Sequence, residues 1–131
     1  MSTSIVTSIT AGLFGIVQVA LSFSIISVRR EEHISLGDGG NKLLERRIRG
    51  HGNFTENVPV ALILLYLVEQ QVTSKSYVIT LATLIVAGRL SHAWAFLYIH
   101  EDSTIFRVGG MVATLTMIIL SSITLLYLSL Y

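Results

Sequence analysis

The chain has 131 residues, of which 52% are hydrophobic and 13% are charged, and its mean hydropathy is +0.70. Its net charge of +1 is too small to indicate nucleic-acid binding, and the absence of cysteine excludes disulfides and thiolate metal sites. The charged share is about half that of a typical soluble domain, so the composition favours a membrane protein, with residues 1–131 as a single domain.

Four apolar segments predict an all-α integral membrane protein, a bundle of four transmembrane helices. Residues 1–28 and 108–131 carry no charge, and each stretch is long enough to cross about 30 Å of hydrocarbon as a helix. Strands are excluded because apolar runs in lipid must satisfy their backbone internally. The predicted spans are residues 5–28, 50–71, 77–98 and 106–131.

The first two spans have features that affect their interpretation. The first lacks a basic start and a small-residue cleavage site, so we interpret it as a retained span rather than a signal peptide. The second contains an uncharged run, residues 58–68, that is too short to cross alone. We therefore expect its helix to extend back through a polar stretch, as far as Lys42.

The connections predict an orientation. Residues 29–41 form a polar connection with the turn signal Gly37-Asp38-Gly39-Gly40, and residues 69–76 and 100–103 form two short ones. Six of the nine Lys and Arg lie between residues 29 and 49. The positive-inside rule therefore places the first and third connections in the cytoplasm and both termini on the opposite side.

Small residues recur four apart, at Ala11 and Gly15 and again at Gly109 and Ala113. This spacing lets membrane helices approach closely. The same positions are also compatible with ordinary lipid-facing sites, and the sequence leaves both interpretations open.

The second helix carries a polar stripe of Glu45, Arg49, Asn53 and Glu56, separated by four, four and three residues. Glu45 and Arg49 stand in the favoured order for an ion pair along a helix. Arginine can bind a carboxylate bidentately, an amide can pair with a peptide group, and a carboxylate can hold an ammonium. The stripe therefore suits a zwitterionic polar ligand at the edge of the membrane.

Other charged groups lie beside the stripe. Arg46 and His51 fall on other faces of the helix. For Arg46 and Arg47 we favour a structural interpretation, a solvated basic collar at the membrane interface. This interpretation is weaker for Asn53 and Glu56, because they stand only a few residues before the apolar run.

The third helix places Arg89, His92 and Phe96 on one face by their three- and four-residue spacing. A buried Arg89 needs a partner, and Glu56 on the neighbouring helix is the best candidate. A purely structural Arg89–Glu56 pair and a hydrogen-bonded interior His92 are the alternatives to a role in ligand binding. The four histidines lack the spacing of a zinc site, so we predict no metal centre.

Arg107 opens the fourth span from the predicted cytoplasmic side. A structural interpretation is interfacial snorkelling. A functional one is that the cation stabilises a thiolate, because a positive neighbour favours the charged form of a thiol.

These residues resemble a known family, the membrane-associated proteins in eicosanoid and glutathione metabolism. The resemblance rests on Glu45-Arg46-x-x-Arg49-x-His51-x-Asn53-x-x-Glu56 followed by Pro59, and on Gly88-Arg89-x-x-His92. The four-span layout fits along the whole chain. The Gly37-Asp38-Gly39-Gly40 loop is similar to that of the short bacterial members, which implies a bacterial inner membrane protein.

The resemblance implies a homotrimer that binds glutathione between neighbouring subunits near the cytoplasmic face. Arg29, Arg49, Asn53, Glu56 and His92 are then expected to bind glutathione, and Arg107 to stabilise its thiolate. Arg89, His51 and Phe96 are expected to be structural or pocket residues. Phe96 stands where the eicosanoid enzymes carry a pocket tyrosine.

Three functions follow from these observations. The first is a glutathione transferase or peroxidase acting on apolar electrophiles or lipid hydroperoxides. The second is a non-catalytic lipid-binding or scaffold protein of the same fold, which the missing tyrosine favours. A small transporter or channel built on Arg89 and Glu56 ranks lowest, because internal repeats and broken spans are absent from the sequence.

Overall fold

The computed structural model describes residues 4–98 and 104–130, and these residues form four α-helices. Helix α1 spans Ile5–Glu31, α2 spans Lys42–Gln71, α3 spans Lys75–Tyr98 and α4 spans Thr104–Leu130. No strand occurs within the described residues, and the predicted all-α class is confirmed. The predicted connection 100–103 and the last residue of the fourth predicted span lie outside the described residues.

Helices α1 and α2 run antiparallel, and a hydrogen bond ties them near each end. Arg47 donates to the Ser24 carbonyl at 2.6 Å, and Gln70 donates to Ser4 Oγ at 2.5 Å. We call the end that carries the connection 32–41 the loop end. The opposite end carries the short connection 72–74.

Helices α3 and α4 form a second antiparallel pair. Ser91 Oγ donates to the Phe106 carbonyl at 3.2 Å, and the Tyr77 and Thr124 hydroxyls lie 2.7 Å apart. The last turns of α1 and α3 and the first turns of α2 and α4 therefore lie together at the loop end.

Helix α2 begins at Lys42, as the sequence predicted. Its N-cap is Asn41, whose Oδ1 accepts a hydrogen bond from the Leu44 amide at 3.0 Å. Such a cap satisfies one of the amides that the first turn of a helix leaves without a partner. The preceding turn uses positive φ at all three of its glycines, which the absence of a Cβ permits.

The core lies along α2 and α3. Helix α2 packs against each of the other three helices, whereas α1 and α4 do not touch within the described residues. Most fully buried apolar side chains come from α2 and α3, with a smaller contribution from the two outer helices. The core side chains are Phe14, Leu21, Phe54, Val58, Ala61, Leu65, Val68, Val78, Leu81, Ala82, Ile85, Ala93 and Met117.

Helices α3 and α4 cross with their backbones in contact. A Cβ on Gly110 would lie 2.5 Å from the Gly88 carbonyl, and a Cβ on Gly88 would lie 3.0 Å from Ala113 Cβ. Only glycine fits both sides of such a crossing. Of the two interpretations left open for the small-residue spacing, close helix approach holds for Ala113, which lies at the crossing. Gly109 and Gly15 are exposed, and a Cβ on either would meet nothing within 4 Å, as expected for lipid-facing positions.

The outer faces of the bundle are apolar. Helices α1, α3 and α4 are each long and apolar enough to cross a membrane. Helix α2 is not, because polar residues flank its apolar run on both sides. The exposed side chains of α1 and α4 include many Ile, Val and Leu, as expected for helices that face lipid.

Candidate functional site

A cleft of about 650 Å³ opens at the loop end between α2, α3 and α4. Six of the predicted site residues line it together, and they come from three helices. These are Arg49, Asn53, Glu56, His92, Phe96 and Arg107. The volume falls within the range of about 300–1,000 Å³ that is typical of small-molecule sites.

The polar stripe of α2 forms one wall of the cleft. Arg49, Asn53 and Glu56 all line it, as their spacing predicted, and Gly52 lies among them. The predicted pair along the helix is confirmed, since Arg49 Nε lies 3.1 Å from Glu45 Oε1. Both partners are partly exposed, so this ion pair contributes little to stability and can yield to a ligand.

Arg89 fixes the orientation of the Asn53 amide. Arg89 is 1% exposed, and its NH1 donates to Asn53 Oδ1 at 2.7 Å. A guanidinium only donates hydrogen bonds, so the amide oxygen must face it. Asn53 is left with its Nδ2 donors to offer to the cleft.

The predicted pairing of Arg89 with Glu56 is wrong. Besides Asn53, Arg89 NH2 reaches the Gly110 carbonyl at 3.5 Å and Met111 Sδ at 3.9 Å. Within the described residues, the ion pair shorter than 4 Å is that of Arg49 with Glu45. Asn53 lies nearer to Arg89 along the antiparallel helices and accepts its hydrogen bond instead. The exposed Glu56 carboxylate therefore stays at the cleft.

The second wall comes from α3. His92 and Phe96 are both buried and their rings lie 5.0 Å apart. Phe96 packs tightly against α2, since a Cβ on Gly50 would lie 2.8 Å from Phe96 Cβ. Arg89, His92 and Phe96 were predicted to share one face. The rings of His92 and Phe96 line the cleft, whereas Arg89 is buried and does not line it.

Arg107 supplies the third wall, from the first turn of α4. Its Cζ lies 4.8 Å from the centre of the Phe96 ring, within the distance of a cation–π interaction. Among the described residues, the cleft lining therefore includes two guanidinium groups and one carboxylate, a set that favours an anionic or zwitterionic guest.

Besides Arg89, two predicted site residues lie outside the cleft, and Arg29 is the first. It belongs to a separate hollow with Arg30 and His33, and its NH1 donates to the Ile34 carbonyl at 3.4 Å. Helix α1 packs on the side of α2 away from the cleft, so Arg29 and the cleft do not meet within one chain.

His51 also faces α1. Its Nε2 lies 2.9 Å from Gln18 Nε2 and 3.1 Å from Ser22 Oγ, and Gln18 Nε2 donates to Thr55 Oγ1 at 3.2 Å. His51 was expected to be either a structural or a pocket residue. These contacts give it a structural role within the chain, and it does not line the cleft.

The predicted basic collar is only partly solvated. Arg46 NH2 donates to the Ala95 carbonyl at 3.1 Å, and Arg47 binds Ser24 on α1. Each side chain is half-buried and links α2 to a neighbouring helix. The structural interpretation stands for both, since neither lines the cleft, but the collar is only partly solvated because each guanidinium also donates to a carbonyl of a neighbouring helix.

Sequence reasoning missed several residues that line the cleft. Thr104, Val108 and Met111 lie on α4 with Arg107, and Ile48 lies on α2. The α4 residues recur at the spacing of one helix face, at 104, 107, 108 and 111. Their spacing along the helix could therefore have predicted that they share a face with Arg107.

The fold and the cleft define a class of protein: a four-helix integral membrane protein with a polar site at one end of the bundle. The sequence profile of the MAPEG family matches residues 7–127, and the chain belongs to this family. The predicted resemblance is thereby confirmed.

Two relatives of the chain come from strains of Escherichia coli. The chain is 31% identical over 109 residues to inner membrane protein YecN of strain K12, and the match covers 83% of this chain and 81% of the relative. YecN of strain O6:H1 CFT073 matches to the same extent. The apolar helices and these relatives support an integral inner membrane protein.

Proposed function

We propose that the cleft binds glutathione and presents its thiolate to apolar substrates that enter from the bilayer. The observation that carries this proposal is the convergence of Arg49, Asn53, Glu56 and Arg107 on one cleft of about 650 Å³. Family membership adds support, because the MAPEG name refers to eicosanoid and glutathione metabolism.

The polar groups match the ends of a γ-glutamyl tripeptide. Arg49 and the Asn53 Nδ2 donors suit carboxylate and peptide oxygens, and Glu56 suits the ammonium. His92 lines the same cleft beside Phe96. Recognition through both charges of a zwitterion leaves the thiol of the central cysteine to face α4, where Arg107 stands.

Arg107 then favours the thiolate, the nucleophilic form of the thiol. In the transferase reaction the sulfur forms a bond to an electrophilic carbon, and the leaving group departs with the electron pair. In the peroxidase reaction the sulfur attacks the terminal oxygen of a lipid hydroperoxide, the O–O bond breaks and the alkoxide is protonated. A second glutathione then gives the disulfide and water.

The proposed setting is a homotrimer in a bacterial inner membrane, with the loop end in the cytoplasm. The excess of Lys and Arg between residues 29 and 49 supports this orientation. A trimer would cover apolar faces of α1 and α4 and would bring Arg29 of one copy toward the cleft of another. Chemical crosslinking of the purified protein would test the subunit number.

The direct test uses purified protein in lipid nanodiscs. Addition of glutathione should produce thiolate absorbance near neutral pH and conjugation of an aryl halide. S-methyl glutathione, which has no thiol proton, is the matched control and should bind without the absorbance change. Absence of both signals at millimolar glutathione would remove the enzymatic function.

A second candidate function is non-catalytic lipid binding. It is favoured by an apolar groove of about 330 Å³ between α1 and α2, lined by Phe14, Gly15, Val58 and Leu62 among others. The phenyl ring of Phe96, which offers no hydroxyl at the cleft, also favours it. Stabilisation by phospholipid with no thermal shift in glutathione would select this function.

A further inference from the structure

The Phe96 ring of α3 makes a cation–π contact with Arg107 of α4. The proposed reaction requires the charge of Arg107 to lie at the cleft. An arginine side chain has many rotamers, and at a helix end beside water it can turn away from a cleft. The Phe96 ring is one contact that keeps the guanidinium at the cleft.

The Phe96 ring is itself held in place. It is 7% exposed, it packs beside His92, and Gly50 of α2 leaves room for it. A Cβ on Gly50 would lie 2.8 Å from Phe96 Cβ and 2.9 Å from Cγ, so only glycine leaves room for the ring in this position. Helices α2 and α3 thus fix the ring that the α4 guanidinium contacts.

A nearby ring pair shows that aromatic residues at this end of α3 differ in their surroundings. Trp94 and Tyr98 lie with ring centres 4.4 Å apart, and both are exposed, at 57% and 62%. Neither lines the cleft. The Phe96 ring differs because it is buried and lies against Arg107.

We infer that Phe96 is a positioning residue, whose ring holds the Arg107 guanidinium at the cleft, with Gly50 as the space that makes this possible. The inference relies on the proposed function only for the use of Arg107, and its geometry stands without glutathione. A residue that merely fills the core would contribute to stability and leave the charge at the cleft unchanged.

The chain has no cysteine, so one introduced thiol can report the charge. Gly52 lines the cleft, and a Cβ there meets nothing within 4 Å, so Gly52→Cys fits without displacement. The rate of alkylation by a neutral reagent, measured against pH, follows the thiolate fraction. Val108→Cys, on an exposed position of α4 in the same cleft, is a second reporter.

Removal of Arg107 by Arg107→Gln in the Gly52→Cys background should move the half-maximal rate to higher pH. Phe96→Leu should move it in the same direction and lower the rate at neutral pH by about three- to tenfold. Phe96→Tyr keeps the ring and should retain the original profile. Trp94→Leu is the matched control, and its profile should not change.

Gly50→Ala offers an independent route if Phe96→Leu fails to fold, because it displaces the same ring without removing it. Its profile should also move to higher pH. The inference is overturned if Phe96→Leu or Gly50→Ala keeps the original profile, or if Arg107→Gln changes nothing. Because the reporter requires no glutathione, a protein that does not bind glutathione would refute the proposed function and leave this result readable.

Discussion

Helix α2 carries one carboxylate at the cleft, Glu56, and another near the opposite end of the bundle, Glu69, and the two differ in their partners. At the opposite end, Glu69 accepts the Val6 amide at 2.9 Å and the Thr7 amide at 2.8 Å through its two oxygens. Glu56, midway along α2, is exposed at the cleft and forms no salt bridge within the described residues. The Glu69 carboxylate therefore stabilises the fold, and the Glu56 carboxylate remains accessible to a ligand.

Charged groups whose hydrogen bonds are made within the fold differ in role from those that line a cavity. Glu69 caps the first turn of α1, where free amides and the helix dipole favour an anion. Arg89 is likewise occupied, by Asn53. Glu56, Arg49 and Arg107 all line the cleft, so polar groups near a membrane are better sorted by where they lie and what they contact than by their charge.

The largest expected effect is the loss of catalysis in Arg107→Gln. If this cation stabilises the thiolate, its removal should lower the conjugation rate about 100-fold, as removal of one oxyanion-stabilising donor does in other enzymes. The rate is measured with an aryl halide at saturating glutathione. Arg30→Gln removes an exposed cation outside the cleft and should retain full activity. Equal rates in both variants would contradict the assigned role.

The next effect tests the occupied carboxylate. Glu69→Ala should lower the free energy of unfolding by about 1–2 kcal/mol, because two amides of α1 lose their acceptor. Thermal unfolding in nanodiscs measures the loss, and glutathione affinity should not change. Glu31→Ala removes an exposed acid at the other end of α1 and is the control. If Glu69→Ala were as stable as Glu31→Ala, Glu69 would not stabilise the fold, and the proposed difference between Glu69 and Glu56 would be wrong.

Glu56→Gln tests the available carboxylate. We expect the dissociation constant for glutathione to rise about tenfold, the lower end of the effect of losing a charge-assisted hydrogen bond. Stability should stay within about 0.5 kcal/mol of the unchanged protein, since the side chain is exposed. Calorimetric titration and thermal unfolding on one sample give both values. If Glu56→Gln unfolded at a lower temperature but bound glutathione with unchanged affinity, Glu56 would be a structural residue and not a ligand-binding one.

Contacts within one helix were predictable from the sequence. The start of α2 at Lys42 and the pairing of Glu45 with Arg49 follow from a fixed helical geometry, as does the common face of Arg49, Asn53 and Glu56. Such contacts depend only on spacing along the chain. The same regularity would have found the α4 residues around Arg107.

Contacts between helices were not predictable in the same way. Whether Arg89 meets Asn53 or Glu56 depends on the offset between α2 and α3, which differs by about one helical turn between the two choices. The crossing at Gly88 and Gly110 sets such offsets for α3 and α4, and the four-residue spacing of Gly109 and Ala113 did not identify these two glycines. The place of Arg29 outside the cleft depends in turn on which side of α2 helix α1 occupies.

The smallest expected effect comes from Asn53→Asp, a substitution that keeps the shape of the side chain. One carboxylate oxygen would still accept from Arg89, so the fold should be retained. The other would replace the Nδ2 donors at the cleft, and the dissociation constant for glutathione should rise about threefold to tenfold, the effect of one hydrogen bond. Asn57→Asp is the matched control one turn along α2, because Asn57 Nδ2 donates to the Asn53 carbonyl at 2.9 Å and does not line the cleft. Equal affinities in the two variants would mean that the Asn53 side chain binds Arg89 and not glutathione. Asn53 would then have a structural role only, like Glu69.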